Sequence, residues 1–430
     1  MDYKVIYFYS QNDEVFYIED EDKNNTLHET TMKELKNPEN KFHHFHAFEN
    51  YYKTHSDLIK FKEEFNTLTN EMKSVKLKTL NGKIYALYYK KFYNHNNAVL
   101  NVFLSRNKSN LMEQFEPITQ EEFYIFERCL NSGLITLNLD YKNKETKCFG
   151  YDYSRYYTHL LTIMRIPTKA GVKHILDDVK WGKLEFGIYR VKITYTNEKF
   201  TNIFNFSKLH HYTSSTLNHL YKIKNDYGLS FELLKDDKYN YNALIYNEKD
   251  LIKGSKIFNE WYKSLEIIKE KYPKNRLVKH LMSSLWGTLC SFKKVYTHNL
   301  EEYDVTYITS TEETEYKIID HLEDDAYMMV NTSDAYKYPL ARIKPFLTAL
   351  GRLNIMKVIE SEKLEDSITR IHTDGIVLNK EHDFTHLKYY PKPEAKTTGN
   401  IKFKNALYGF HICPTCKEEF KYSDFICHSC

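Results

Sequence analysis

The sequence predicts an α+β chain of several domains. Its 430 residues are too many for one compact core and suit two to four domains. Short strand-like runs and segments of helical spacing both occur along it. Toward the C-terminal end, the runs Ser367 to Ile371 and Ile376 to Leu378 flank the tight turn His372-Thr373-Asp374-Gly375, a β-hairpin with an acidic tip.

The elements follow in order. Residues 1–105 mix strand-like runs (Lys4 to Tyr9, Lys83 to Tyr89, Ala98 to Leu104) with polar segments and carry no motif. Ile118 to Leu130 reads as a helix stopped by the turn signal Asn131-Ser132-Gly133. Strands Leu134 to Leu139 and Thr146 to Tyr151 come next. After Asp152, residues Tyr156, Leu160, Leu161 and Met164 recur at helical spacing. Residues 165–250 read as an insertion-rich α+β region. Helices then cover about Ser255 to Lys271 and Lys274 to Phe292, with Pro273 as the breaker between them, and a further helix covers about Ile343 to Glu360. Residues 380–410 are rich in lysine, and no internal repeat or long low-complexity segment is present.

Composition narrows the function. A chain with 42% hydrophobic and 28% charged residues reads as soluble and globular. The 61 basic and 58 acidic residues nearly cancel, so a nucleic-acid surface here is a local basic patch and not a global field. Tyrosines can stack on bases, but the 37 present accompany abundant Lys, Asn, Ile and Phe, which points to A+T-rich coding. No run approaches the roughly 18 apolar residues that span a membrane, so no membrane partner is expected, and the first residues lack a signal-peptide pattern. Cys129, Cys148 and Cys290 are scattered, a usage that suits a reducing intracellular compartment, the cytoplasm or nucleus of a host cell.

The other four cysteines form the strongest single motif. Cys413-Pro414-Thr415-Cys416, ten residues, then Cys427-His428-Ser429-Cys430 match a zinc ribbon, in which four thiolates close a tetrahedral Zn²⁺ site. Such a site contributes on the order of 10–16 kcal/mol to folding so small a module. His411 and His428 are alternative ligands, and free thiols or two disulfides are the plainer reading.

On the Lys274 helix, Lys279, Ser283, Trp286 and Cys290 fall within about 60° of one another, with Leu277, Leu281 and Leu285 on the opposite side. An ammonium there can hold β- and γ-phosphates, and an indole can stack on a base; the plain alternative is an amphipathic helix with a solvated lysine. Asp152 ends an apparent strand and Asp374 tips a hairpin. Carboxylates in such positions can converge on two metal ions, though either alone is more often a turn or cap residue.

Taken together these segments resemble the family B DNA polymerases. Asp152-Tyr153-Ser154-Arg155-Tyr156-Tyr157 is similar to that family's motif A, Lys279 to Gly287 to motif B with the same lysine-to-glycine spacing, and Thr373-Asp374 to motif C. Ile343 to Arg352 resembles the helix before motif C, and Asn131-Ser132-Gly133-Leu134 the template-strand turn before motif A. The 127 residues from Asp152 to Lys279 are similar to the interval of the protein-primed branch.

The resemblance implies a right-hand polymerase with an antiparallel-sheet palm, helical fingers, a small thumb and the zinc ribbon. The implied divisions are 1–105 (role unknown), 106–254 (palm with insertion), 255–292 (fingers), 293–380 (palm with the hairpin), 381–411 (a basic thumb-like segment) and 412–430 (zinc ribbon). It implies two Mg²⁺ or Mn²⁺ ions on Asp152, Asp374 and the Tyr153 carbonyl, with Ser154, Arg155 and Tyr156 beside the nucleotide and Tyr157 as the gate that excludes a 2′-hydroxyl. Lys279 would bind the triphosphate, Lys269 (or Lys263) would supply a second positive charge, and Ser283 and Trp286 would sit near the nascent pair. Ser132, Gly133, Thr373, Lys402, Lys404 and Tyr408 would touch DNA, with Lys402 and Lys404 in a lysine-rich stretch that also includes Lys388, Lys392 and Lys396. The implied partners are primer-template DNA, deoxynucleoside triphosphates and a replication or priming protein, in viral or mobile-element replication. The alternative is a catalytically inactive, DNA-binding subunit acting through its zinc ribbon.

Several positions depart from the family pattern. His372 stands where motif C has its first Asp, Gly375 replaces Ser, Ser283 replaces Asn and Thr158 replaces Pro. These changes leave the metal-binding Asp in place and bear on rate and template grip. Reverse transcriptases carry adjacent aspartates at the hairpin, which this turn lacks. A proofreading exonuclease needs an Asp-x-Glu strand near the N-terminus, and Tyr3 to Ser10 holds no acidic residue; none is expected, and Asp20-Glu21-Asp22 reads as a solvated turn.

Overall fold

The computed structural model describes residues 4–11, 14–35, 37–40, 42–46, 54–74, 77–78, 84–85, 95–107, 110–235, 240–322, 325–387, 391–407, 409–412 and 419–421. The chain forms two compact units, Met1–Glu113 with Ser255–Leu289, and Gln114–Gly254 with Cys290–Cys430.

The first unit is built on a four-stranded sheet. Lys4–Gln11 lies at its centre, antiparallel to Glu14–Glu19 and parallel to Phe42–His46, with His28–Thr30 at the edge. The helix His55–Ser74 packs on this sheet by placing Phe61 and Phe65 edge-on against Tyr7. Asp20 accepts hydrogen bonds from Tyr7 Oη and Asn66 Nδ2, each 2.9 Å, and Asp22 accepts from the Asn24 and Thr26 amides. The acidic cluster is therefore a solvated turn, as read, tied down by these hydrogen bonds at the sheet's end.

Two helices of the same unit, Ser255–Lys271 and Arg276–Leu289, meet at a corner. Glu71 receives Lys271 Nζ and Tyr272 Oη at 2.7 Å, and Glu64 receives the Arg276 amide at 2.8 Å. Leu277, Val278, Leu281, Met282, Leu285 and Leu289 are buried, as the stripe predicts. Ala98 to Leu104, read above as a strand, is instead the end of the helix His95–Leu104. Val99, Val102 and Phe103 are its buried residues, an i, i+3, i+4 set that a continuous apolar run conceals.

The second unit carries a seven-stranded, wholly antiparallel sheet. Its order is Glu419–Lys421, Gly409–Ile412, Pro393–Phe403, Glu145–Tyr153, Gly375–Leu378, Ile368–Thr373, Leu134–Leu137. The helix Ile343–Ser361 packs against the helix Tyr156–Ile163 and against the Leu134 strand. The region after residue 164 leaves and returns through the paired strands Arg165–Pro167 and Leu251–Lys253, enclosing a five-stranded sheet. A four-stranded sheet between Lys294 and Asn331 precedes the long helix.

Both entry points to this core are pinned by charge. Thr119 and Glu122 form a capping box on the helix Gln120–Arg128. The same Glu122 carboxylate takes Arg342 Nε at 2.8 Å and Nη2 at 2.7 Å, and both side chains are fully buried. Tyr246 Oη adds a third donor at 2.9 Å. Among the described residues no helix is long and apolar enough to cross a membrane.

Candidate active site

The Asp152 segment runs strand, turn, helix. Glu145–Tyr153 ends at Tyr153, Arg155 adopts a left-handed conformation at φ 57°, and the helix Tyr156–Ile163 begins directly after it. A left-handed residue turns the chain sharply there and leaves Asp152 half-buried at the strand's end.

The hairpin brings the second aspartate alongside. Asp152 pairs with Gly375, one residue past Asp374, and the Tyr153 amide donates to the Asp374 carbonyl at 3.0 Å. Adjacent strands lie about 4.8 Å apart, so two acidic residues 222 positions apart share one end of a strand pair. The register continues across the sheet as a single row: Ile135, His372, Gly375, Asp152, Glu394. Directly opposed residues share a face, so Glu394 stands beside Asp152 and His372 stands two strands away across a residue with no side chain.

The turn before the Asp152 strand buttresses the hairpin tip. Thr373 has φ 61°, an outlier for a β-branched residue. It abuts Gly133 so closely that a Cβ there would lie 2.8 Å from Thr373 Cα. The same turn is tied from below, where Arg352 Nη1 donates to the carbonyls of Leu130 (2.9 Å) and Ser132. Ser132, Gly133, Thr373 and Asp374 thus lie together around the hairpin tip.

Aromatic rings fill the space under Asp152. Tyr153 and Tyr156 lie 4.8 Å apart between centroids, and Tyr157 meets Tyr156 edge-on at 5.3 Å. Tyr156 Oη donates to the Gly351 carbonyl. Burial pushes the Tyr157 phenol up to about 12, and the neighbouring Asp374 carboxylate adds to the rise. Burial also lowers the Arg352 guanidinium to about 10, against the opposing pull of Tyr157, Cys129 and Tyr212. His372 is held below its usual value by partial burial first and by Arg370 second.

Among the described residues no three His, Cys, Asp or Glu side chains converge as a closed metal cage. Two aspartates at one strand end instead fit Mg²⁺, which takes few protein carboxylates and fills its octahedron with substrate oxygens and water.

The remaining sequence candidates are distributed as follows. Lys279 and Ser283 are exposed and Trp286 half-buried on one face of the Arg276–Leu289 helix in the first unit, while Cys290 is buried. Lys269 Nζ donates to the Pro273 and Asn275 carbonyls at its own helix end, and Lys263 is exposed beside Glu260. Lys402 is half-buried on the Pro393–Phe403 strand and Lys404 exposed just beyond it. Lys392 donates to the Thr385 carbonyl and Lys396 pairs with Glu394. Tyr408, Lys388 and the four cysteines 413, 416, 427 and 430 lie outside the described residues, as does the His411 side chain.

Three residues escaped the sequence reading. Glu394 lies in a Pro-, Gly- and Lys-bearing stretch with no strand pattern, so nothing marked it as Asp152's neighbour. Gly351 and Arg352 were read only as part of a helix, although an arginine within a run as apolar as Ile343–Ser361 is a signal of an internal partner.

The chain has a mixed helix and mainly antiparallel-sheet fold. Solved structures of Phi29 DNA polymerase share it. The complex with primer-template DNA after translocation matches at TM-score 0.58 and 12% identity, covering 99% of this chain and 91% of that one. The ternary complex with primer-template DNA and incoming nucleotide matches at 0.54 and 12%, with the same coverage. The complex with single-stranded DNA matches at 0.56 and 13%, again over 99% and 91%. No protein-family model matches the sequence, and no curated protein matches it.

Proposed function

We propose that this chain is a DNA-directed DNA polymerase of the family B type that joins a deoxynucleoside triphosphate to a primer 3′-hydroxyl. The observation that carries the reading is the pairing of Asp152 with Gly375, together with the main-chain bond from Tyr153 to Asp374, which brings the two acidic segments to one end of two neighbouring strands. The shared fold with Phi29 DNA polymerase supports it.

The primer 3′-oxygen attacks the α-phosphorus, the bond from that phosphorus to the bridging oxygen breaks, and pyrophosphate leaves. Two bound Mg²⁺ ions supply a lowered hydroxyl pKa and charge neutralisation at the leaving group. In this reading Asp152, Asp374 and the Tyr153 carbonyl hold those ions. Tyr157, supported from beneath by the Ile343–Ser361 helix, bounds the sugar. Lys279 holds the triphosphate as a point charge, with Ser283 and Trp286 on the same helical face. The Ser132-Gly133 turn and Thr373 hold the DNA beside the hairpin, and Lys402, Lys404 and Tyr408 hold its backbone. The four C-terminal cysteines bind one structural zinc ion. No proofreading activity is part of the reading, because the central strand Lys4–Gln11 holds no acidic residue.

Primer extension with Mg²⁺ or Mn²⁺ tests the proposal. The parent extends a primed template, and Asp152→Ala and Asp374→Asn do not. Extension unaffected by both substitutions rules out the assignment. A parent that binds primer-template DNA without extending it is the inactive subunit instead.

A further inference from the structure

We propose that Gly351 is a positioning residue for sugar discrimination: its missing side chain is the notch in which the Tyr157 ring lies. The inference rests on the polymerase reading and deepens it.

Gly351 sits in the buried middle of the Ile343–Ser361 helix. Glycine in a helix interior costs about 1 kcal/mol relative to alanine, so its presence there calls for a reason of space. A Cβ built at Gly351 would lie 3.1 Å from Tyr157 Cε1, 3.2 Å from its Oη and 3.3 Å from its Cζ. These distances are a few tenths of an ångström too short for carbon in contact with an aromatic ring. One of the two neighbours must move.

The helix is the less free of the two. Tyr156 Oη donates to the Gly351 carbonyl, and Arg352, the next residue, donates to Leu130 and Ser132. The backbone around residue 351 is thus tied to the Tyr156 helix on one side and to the Gly133 turn on the other. Tyr156 also blocks sideways motion of the Tyr157 ring by its edge-on contact. The displacement left to the ring is outward, hydroxyl end first, away from the Ile343–Ser361 helix. A methyl at 351 therefore narrows the space in which a sugar lies against Tyr157.

The test measures kcat and KM for deoxy- and ribonucleoside triphosphates in primer extension, with thermal melting alongside. Gly351→Ala is expected to raise KM for the deoxynucleotide about threefold to tenfold with kcat within about twofold, and to shift the deoxy-to-ribo ratio at least about threefold. Tyr157→Phe removes one of the three short contacts, that of Oη at 3.2 Å, so the double variant recovers part of the KM change toward that of Tyr157→Phe alone. A folded Gly351→Ala with parental KM and ratio overturns the inference, and so does strict additivity in the double variant. If Gly351→Ala does not fold, Gly351→Ala with Tyr157→Ala decides: recovered folding assigns the clash to the ring, and continued unfolding overturns it. A parent that extends no primer at all defeats the polymerase reading itself, a distinct outcome.

Discussion

The backbone amide of Tyr153 donates to the carbonyl of Asp374 at 3.0 Å, joining the two acidic segments by main chain alone. Because that bond uses no side chain, replacing either carboxylate by its amide leaves the strand pairing intact. Asp152→Asn and Asp374→Asn are each expected to lower extension on the order of a thousandfold, a loss of several kcal/mol of transition-state stabilisation. DNA binding, measured by fluorescence anisotropy at one fixed salt concentration, is expected to stay within about twofold. Equal loss of binding and extension would show that these residues hold the fold and not the ions.

Two glycines resemble family positions, and the structure separates them. At Gly133 a side chain meets Thr373 backbone at 2.8 Å, next to Asp374. A Cβ built at Gly287 meets nothing within 4 Å outside its own helix backbone. Gly133→Ala must push the hairpin tip and is expected to cut extension about tenfold or more, since sub-ångström errors at a reacting centre are costly. Gly287→Ala removes a helix-interior glycine without a clash and is expected to gain about 0.5–1 kcal/mol in urea denaturation. Reversed outcomes would mean that the close approach of Thr373 to Gly133 is not what positions Asp374.

Local pattern marked the acidic hairpin and the helices, and long-range pairing brought the two acidic segments together. The Ser255–Lys271 helix has the ends its residues announce, because Pro273 punctuates it strongly, while the acidic hairpin is tighter than read, its strands running on to Thr373 and resuming at Gly375. That Asp152 and Asp374 meet depends on the Glu145–Tyr153 strand lying between Gly375–Leu378 and Pro393–Phe403, which no local signal encodes. The Pro393–Phe403 strand itself reads as polar coil, since most of its exposed residues are polar or charged and its buried residues are only Pro393, Ile401 and Phe403. Ala98–Leu104 failed in the opposite sense, because a continuous apolar run fits a strand and a buried helix equally well.

A buried histidine gives the second unit a defined pH response. His211 accepts from Tyr241 Oη at Nε2 (2.9 Å) and donates from Nδ1 to the Leu209 carbonyl (2.6 Å), while Arg128 donates to the same tyrosine. This is a neutral imidazole. Burial, and secondarily the Arg128 charge, depress it from 6.5 to about 3. The folded value is below the unfolded one, so the contribution is complete above about pH 6.5 and is lost as pH falls toward 3. Below 6.5 the unfolded chain gains a proton that the folded chain refuses, and stability falls by about 1.4 kcal/mol per pH unit from this group. Urea midpoints at pH 7.5, 6 and 5 for the parent and His211→Gln are expected to converge as pH falls. Parallel curves would remove His211 from the account.

Among the described residues of the second unit, the Glu122–Arg342 ion pair is the most deeply buried, with both side chains at zero exposure. Arg342 also donates to the Glu116 and Pro117 carbonyls, and Glu122 accepts from the Thr119 and Gly171 amides, so each charge has several partners besides the other. Removing one member strands the other in a dry interior, at about 3–5 kcal/mol. Glu122→Gln keeps the shape and the capping geometry while deleting the charge, so its loss isolates the electrostatic part. Arg342→Met deletes the cation and leaves a carboxylate facing Tyr246 Oη. In guanidinium denaturation each single variant is expected to lose about 3–5 kcal/mol, and the double variant much less than their sum, because it no longer buries a lone charge. Additive losses would mean that the two side chains are held by their separate backbone partners and contribute nothing to one another.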